Sequence, residues 1–360
     1  MVKTSVLVKD VERQAVEALR LLLEQVPTIK LVKIEHEASD HDRGTHIVAH
    51  LELADTRHSL FCEVKSTGQP RHVRMALIQL RNDIAHREPD ATPVLIAPYL
   101  SHDAQALCRE QNVGFLDLSG NARLIFGSVF IERQVASQPV AERRALRSLF
   151  KPKSAQVLRV MLRDPHRAWR VTALAEEAAV SLGHVSNVRS GLLAREWAQV
   201  SDDGLLLSRP GALLDAWRAA YEPPAGTHAT FYTTLHGSAF EGVARQVLHQ
   251  DGGSGLAAFA SFSAAQWLAP YGRTGTHYFY ADAAGLERLR LALKLSSIAK
   301  GENVLVTVLE DPGVFRDTVE PAPGVICTSP VQTYLDLAIA GERGREAAEH
   351  LRHERLAWPT

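Results

Sequence analysis

The sequence predicts a multidomain α/β protein, because three kinds of pattern follow one another along its 360 residues. The first third alternates apolar strands with amphipathic helices, the middle holds two short helices before a hairpin signal, and the last third mixes helices with strands, as in an α+β domain. A length of about 150 residues per domain allows two or three domains. We place them at residues 1–135, 141–220 and 225–360, with linkers around Pro139 and Pro223.

Composition sets broad limits on function. Apolar residues make up 46% and charged residues 22% of the chain, as expected for a globular protein with a substantial core. The net charge of −1 means that any surface for a polyanion must be local. Cys62, Cys108 and Cys327 have neither disulfide nor zinc spacing. We recognise no signal peptide and no membrane-spanning stretch, so we expect a cytoplasmic protein without membrane contact.

The first domain has a recognisable order of elements. A helix over 11–26 precedes strands at 30–35, 46–53 and 59–66, and Pro70 opens a second helix. A strand at 93–97, a helix capped by Ser101 and a strand at 113–118 complete the order αβββαβαβ. This order predicts a mixed sheet with helices on both faces. We expect the turn at 119–121 to close the domain.

Glu63 and Lys65 fall on the same side of the third strand, because side chains alternate with a period of two. This pair and the αβββαβ order resemble the PD-(D/E)xK nuclease core, which implies a restriction-endonuclease-like fold. That core needs a further acid on the preceding strand. Folding the hairpin about Asp55 puts residues 48–50 opposite Glu63, and none is a carboxylate.

We therefore predict no catalytic residue, no metal and no cofactor, and a nuclease-like fold that serves as a scaffold or a DNA-contacting platform. The alternative is a nuclease that uses Glu63, Lys65 and Asp42 with Mg²⁺ or Mn²⁺. Gln79 lies in the next helix. Four residues further on, some members of the nuclease family carry a tyrosine, and this chain has Asp83 instead. For the nearby histidines we expect hydrogen-bonded or solvated roles. They are His36, His41, His46 and His50.

The pattern of residues from Trp169 to Arg209 predicts a winged helix-turn-helix. Thr172 is a candidate N-cap for the first short helix, and Ser181 is one for the second. Apolar residues at 185, 188 and 192 form one buried stripe on the second helix. Asp202-Asp203-Gly204 between apolar runs then predicts a hairpin, the wing.

The other face of the second helix carries small and polar side chains that can approach base edges in a major groove. The candidate base-contacting residues are Ser181, His184, Ser186, Asn187, Arg189 and Ser190. Between residues 141 and 170, nine basic residues face two acidic ones, which gives a local charge of +7. The candidate phosphate-contacting residues in this segment are Lys151, Lys153, Arg167 and Arg170.

Three stretches resemble AbiEi-type antitoxins of type IV toxin–antitoxin systems: 171–175, 180–186 and Ser329 to Leu337. The resemblance covers roughly residues 150–350. It implies a DNA-binding transcriptional regulator that represses its own operon and has a nucleotidyltransferase-like toxin as partner. Double-stranded DNA is thus the predicted ligand, and the protein could also be an oligomer. A third hypothesis is an adaptor whose C-terminal domain binds a partner protein.

Overall fold

The computed structural model describes residues 2–38, 45–87, 89–136, 138–249, 256–272, 274–297 and 301–358. The protein is a mixed α/β chain that divides into two compact units. The first comprises Met1–Arg143 with Leu193–Glu196, and the second comprises Arg144–Leu192 with Trp197–Thr360. The predicted boundaries at residues 135–141 and 220–225 stay predictions. Within the described ranges, no helix is long and apolar enough to cross a bilayer.

The first unit is built on a seven-stranded sheet whose spatial order follows the chain, β1-β2-β3-β4-β5-β6-β7. Strands β3, β4 and β5 pair in parallel and the other neighbours pair antiparallel. The elements are α1 (Val2–Glu24), β1 (Ile29–Ala38), β2 (Thr45–Leu53), β3 (Thr56–Val64), α2 (Pro70–Arg87), β4 (Thr92–Ala97), α3 (His102–Glu110), β5 (Gly114–Asp117), β6 (Ala122–Phe126) and β7 (Val129–Arg133).

Helices cover both faces of this sheet, as the alternation of elements predicts. One core joins Leu19 of α1 to Ile47 and Leu60 on the sheet. The other joins Leu77 of α2 to Phe61. Phe61 and Glu63 are two residues apart on β3 and therefore point to the same side, toward α2. The strand alternation thus places Glu63 on the α2 face.

The turn at residues 119–121 does not close the domain, contrary to the prediction. Gly120 has a φ of 105°, and the Asp117 carboxylate accepts hydrogen bonds from the backbone N–H groups of Ser119 and Asn121, both at 3.0 Å. The chain therefore turns back at once into β6, which pairs with β5, and then into β7. Two short strands extend the sheet beyond the predicted domain core.

The second unit begins with a group of short helices and a hairpin. The elements are α4 (Val140–Leu149), whose first residues belong to the first unit, α5 (Pro152–Arg163), α6 (Val171–Glu177), α7 (Leu182–Ala194), β8 (Ala198–Ser201), β9 (Gly204–Leu207) and α8 (Pro210–Ala219). Arg170, not Thr172, occupies the N-cap position of α6, and Thr172 lies exposed in the first turn. Ala179, with a φ of 50°, ends α6 before Ser181.

A second sheet follows, with six strands in the order β10-β13-β12-β11-β15-β14. The elements are β10 (Gly226–Phe231), α9 (Gly237–Leu248), β11 (Ala257–Phe259), α10 (Ser261–Leu268), β12 (His277–Ala281), α11 (Ala283–Ala292), β13 (Val304–Leu309), a 3₁₀ turn η1 (Pro312–Asp317), β14 (Val319–Ala322), β15 (Val325–Cys327), α12 (Pro330–Ala338) and α13 (Gly341–Arg355). Helix α11 ends at Ala292, and Lys294, two residues further on, adopts a φ of 53°. Ser329 caps α12, since its side chain accepts a hydrogen bond from Gln332 N.

Candidate nucleic-acid interface and the Glu63 cluster

Helix α7 presents a row of polar side chains to solvent. The row consists of Ser181, His184, Ser186, Asn187, Arg189 and Ser190, and is called the α7 ridge below. All six are exposed except Arg189, which is half-buried. On the opposite face Val185, Val188 and Leu192 are buried, each with at most 1% of its surface accessible. The apolar stripe therefore turns the α7 ridge outward.

Some side chains of the α7 ridge already hydrogen-bond to other residues of the chain, and others do not. The Ser181 hydroxyl lies 2.8 Å from His184 Nδ1, and it also accepts from the His184 backbone N–H at 3.4 Å. The Ser190 hydroxyl donates to the Ser186 carbonyl oxygen at 3.0 Å. The Asn187 amide has no hydrogen bond to any residue in the described ranges. Asn187 thus keeps one acceptor and two donor positions free for a ligand.

The candidate phosphate-contacting residues have different surroundings. The Arg167 guanidinium stacks 3.8 Å over the ring of Trp169, whose backbone pairs with Leu205 of the hairpin. Arg170 is exposed at the start of α6. Lys151 is exposed as well, whereas Lys153 lies 3.2 Å from the Asp311 carboxylate. Of the four, Lys153 already has an anionic partner.

The local charge of +7 overstates the cations that are free to meet phosphate. Arg159 is buried, Arg163 pairs with Asp317 at 3.2 Å, and Arg147 pairs with Glu222 at 3.2 Å. A count along the sequence misses these pairs because Asp317 lies 154 residues from Arg163 and Glu222 lies 75 residues from Arg147.

The tip of the β8–β9 hairpin is acidic. Ser201 pairs with Gly204, which leaves Asp202 and Asp203 as an exposed two-residue loop. Two carboxylates at this position repel a phosphate backbone. The hairpin tip therefore disfavours the close DNA approach that a basic wing would make, and α7 is left as the main candidate surface.

In the first unit the structure brings five polar residues together on the α2 face of the sheet. They are His46, Glu63, Lys65, Gln79 and Asp83, and are called the Glu63 cluster below. Lys65 Nζ lies 2.6 Å from Glu63 Oε1 and donates to Gln79 Oε1 at 3.1 Å. His46 Nδ1 lies 2.6 Å from Glu63 Oε2, and His46 Nε2 lies 3.3 Å from Asp83 Oδ2. Neither contact of the imidazole has the angle of a hydrogen bond.

The residue opposite Glu63 is His46, not any of residues 48–50 as the sequence had suggested. Leu53 pairs with Thr56, so the turn contains only Ala54 and Asp55, both at positive φ. This tight turn shifts the register of β2 against β3 by two to four residues from the prediction. Asp42, the third residue of the nuclease alternative, lies outside the described residues, as does His41.

Glu63 is 2% exposed, as is His46. Burial by itself would raise the pKa of the Glu63 carboxyl group. The contacts with His46 and Lys65 outweigh burial, so the pKa of Glu63 lies below its ordinary value. A buried carboxylate is thus stabilised in its charged form by two basic side chains of the same unit.

The donor set of the Glu63 cluster does not fit a Mg²⁺ site. Mg²⁺ requires near-octahedral oxygen ligands, and an imidazole stands between the two carboxylates. Over the described part of the chain there is no group of three or more His, Cys, Asp or Glu that could hold a metal ion.

The Glu63 cluster yields a stability prediction. Lys65→Met should lower the free energy of unfolding by about 3 kcal/mol, because it leaves the buried Glu63 carboxylate without its cation. The double variant Glu63→Gln/Lys65→Met should recover much of that loss, since no charge is then uncompensated. Guanidinium unfolding of both variants, with Glu63→Gln alone to complete the cycle, measures the coupling. Additive effects of the two substitutions would contradict the assigned pairing.

Residues 206–357 match the model of a family described as a transcriptional regulator, the AbiEi antitoxin of a type IV toxin–antitoxin system. The match supports the resemblance to AbiEi-type antitoxins. It begins within β9 and continues through α8 and the six-stranded sheet to α13, so it covers less than half of the chain and does not include α7.

A comparison with curated proteins finds no match. Among solved structures, EndoMS in its apo form matches with 15% identity and a TM-score of 0.20, over 29% of this chain and 45% of that one. The matched part spans less than half of the EndoMS chain. At this TM-score the likeness carries no weight for the fold or the activity of the first unit.

Proposed function

We propose that the protein is a DNA-binding transcriptional regulator and the antitoxin of a type IV toxin–antitoxin system. The observation that carries the DNA-binding part is the exposed α7 ridge above a fully buried apolar stripe. The regulator and antitoxin part rests on the family match over residues 206–357. In this proposal α5 to β9 form a winged helix-turn-helix, and the toxin partner is nucleotidyltransferase-like.

Helix α7 enters the major groove in the proposed complex. The Asn187 amide can pair with adenine through one acceptor and one donor, which is the geometry that asparagine uses on this base. Ser186, His184 and Arg189 lie on the same ridge and contact neighbouring bases. Arg167 and Arg170 hold phosphates and set the register, with Lys151 as a further contact. The acidic hairpin tip stays away from the phosphate backbone.

Asn187→Ala should weaken binding to the preferred duplex by about 1–3 kcal/mol and relax the sequence preference, because a base contact is lost. The duplex is first selected from a random pool with the full-length protein, and affinities are then measured by fluorescence anisotropy. Ser238→Ala, an exposed serine on α9, is the matched control and should bind as the wild type does. Unchanged affinity and unchanged preference in Asn187→Ala would refute the proposed base contact.

Arg170→Ala should weaken binding to all duplexes alike. The slope of log K against log salt is negative, and each lost phosphate contact reduces its magnitude by about 0.9. Lys153→Ala should have a smaller effect, because Asp311 already pairs with that side chain. A titration series at several salt concentrations measures both variants. A sequence-dependent loss in Arg170→Ala would identify it instead as a base contact.

For the first unit we propose a nuclease-like fold without catalysis, and the competing function is a metal-dependent DNA nuclease. The observation that favours the nuclease is that Glu63, Lys65 and Gln79 meet within hydrogen-bonding distance. His46 argues against it, because it stands opposite Glu63 where that mechanism needs a carboxylate.

Incubating supercoiled plasmid with the full chain and Mg²⁺ or Mn²⁺ distinguishes the two functions. We expect no cleavage above that of Lys65→Ala prepared in parallel, because the described ligands of the Glu63 cluster do not suit a hard divalent cation. Metal-dependent nicking that is lost in Lys65→Ala would establish the nuclease, whatever the outcome of the DNA-binding experiments.

A further inference from the structure

A cavity of about 290 Å³ lies within the second unit, among α5, α8, the segment 221–225 and η1. Its apolar wall includes Phe150 and Trp217, whose rings stack at 5.5 Å between centroids and 4° between planes. Val314 and Ala220 also line the cavity. Arg159 of α5 contributes the guanidinium group. The cavity thus has two stacked aromatic side chains in its wall and one buried cation.

Arg159 is 3% exposed, and only neutral groups accept its hydrogen bonds. Nη1 donates to Gln332 Oε1 at 3.2 Å and Nη2 donates to the Gly313 carbonyl oxygen at 3.3 Å. Nε makes no hydrogen bond within the described part of the chain. Burial lowers the pKa of Arg159 from its ordinary value, although nearby acidic groups oppose this. A guanidinium donor is therefore buried and unused.

Three carboxylates are close enough to raise the pKa of Arg159 by their charge, and each of them is bonded to another side chain. Their partners are Lys153 for Asp311 at 3.2 Å, Arg163 for Asp317 at 3.2 Å, and Tyr221 for Asp336 at 2.5 Å. No described carboxylate lies within 4 Å of the Arg159 guanidinium. A buried charge without an ion-pair partner is costly, and a bound anion would relieve that cost.

The rim of the cavity carries both signs of charge. Arg147 pairs with Glu222, Lys151 and Glu310 are both exposed, and Asp311 pairs with Lys153. These charges nearly cancel, so the rim selects neither cations nor anions. The deep Arg159 is what distinguishes an anionic ligand from a neutral one.

We propose that this cavity binds a small carboxylate that carries a flat apolar ring. The carboxylate would accept from Arg159 Nε, and the ring would pack against Trp217 and Phe150. The volume is at the lower end of small-molecule sites and suits a one-ring or two-ring acid. The test of this site is independent of the proposed DNA binding, because ligand binding is measured without DNA.

Isothermal titration calorimetry of the full chain with 2-naphthoate tests the proposal, and the neutral isostere 2-naphthamide serves as the matched ligand. We expect saturable binding of one 2-naphthoate per chain, and binding of the amide at least about tenfold weaker. Equal binding of acid and amide would overturn the proposal, and so would the absence of saturable binding at millimolar 2-naphthoate.

Three variants locate the site. Arg159→Gln removes the charge and should weaken 2-naphthoate binding at least about tenfold. Ala220→Leu keeps Arg159 but fills part of the cavity, so it should also lose binding, which covers the case in which Arg159→Gln does not fold. Arg343→Gln, at an exposed arginine on α13 that is not part of the cavity lining, should bind as the wild type does. Wild-type affinity in a folded Arg159→Gln or in Ala220→Leu would place the ligand elsewhere.

Discussion

The burial of Val185, Val188 and Leu192 is the constraint that decides which face of α7 meets solvent. Each of these side chains contributes about 1.5–3 kcal/mol when it is fully buried. Rotating α7 by one residue, about 100°, would expose this stripe and bury polar groups from the α7 ridge. Burying the free Asn187 amide without a partner would cost further free energy. The orientation of the candidate reading surface thus follows from core packing on the other side of the helix.

A polar network connects α5 to the part of the chain that matches the antitoxin family. Gln332 of α12 accepts from Arg159, and it donates to the Tyr221 hydroxyl at 2.8 Å and to Asp336 at 3.0 Å. Burial raises the pKa of Asp336 to about 6, although hydrogen bonds from Tyr221, Tyr280 and Gln332 oppose the shift. Because these groups are buried, a change at one of them alters the environment of the others. The helices before α7 and the six-stranded sheet are therefore packed as one unit through specific polar contacts.

The sequence predicted those features that depend on neighbouring residues alone, such as helix caps. Ser101 and Ser329 both cap helices with their side chains, as a serine before a helical pattern predicts. The register of β2 against β3 was wrong because it depends on Ala54, and an alanine at positive φ gives no turn signal. Strands β6 and β7, of five residues each, were missed because the turn at residues 119–121 was interpreted as the end of the domain. For such short elements the pairing partner, not the local pattern, determines the conformation.

In the candidate sites too, the features that depend on local sequence were predicted and those that depend on distant residues were missed. The period of two along a strand predicted that Glu63 and Lys65 lie on the same side of the sheet. The apolar stripe at residues 185, 188 and 192 predicted that the α7 ridge lies on the opposite, exposed face of the helix. The partners of Glu63 on β2 depend on strand register, so His46 was recognised only as one of several histidines. Arg159 looked like one more member of a basic run. Its burial arises from contacts with Gly313 and Gln332, more than 150 residues away, which no local pattern contains.

The contacts of Glu63 bear on what the first unit can do. Lys65 Nζ lies 2.6 Å from one carboxylate oxygen and His46 Nδ1 lies 2.6 Å from the other, so a basic side chain already stands beside each oxygen. A divalent cation would have to displace at least one of these groups and would then face a cationic lysine at close range. In a metal-dependent nuclease a second carboxylate offsets that repulsion, whereas here an imidazole separates Glu63 from Asp83. The charge balance of the Glu63 cluster therefore favours a role in stabilising the sheet, which agrees with the proposal that this unit supports a regulator.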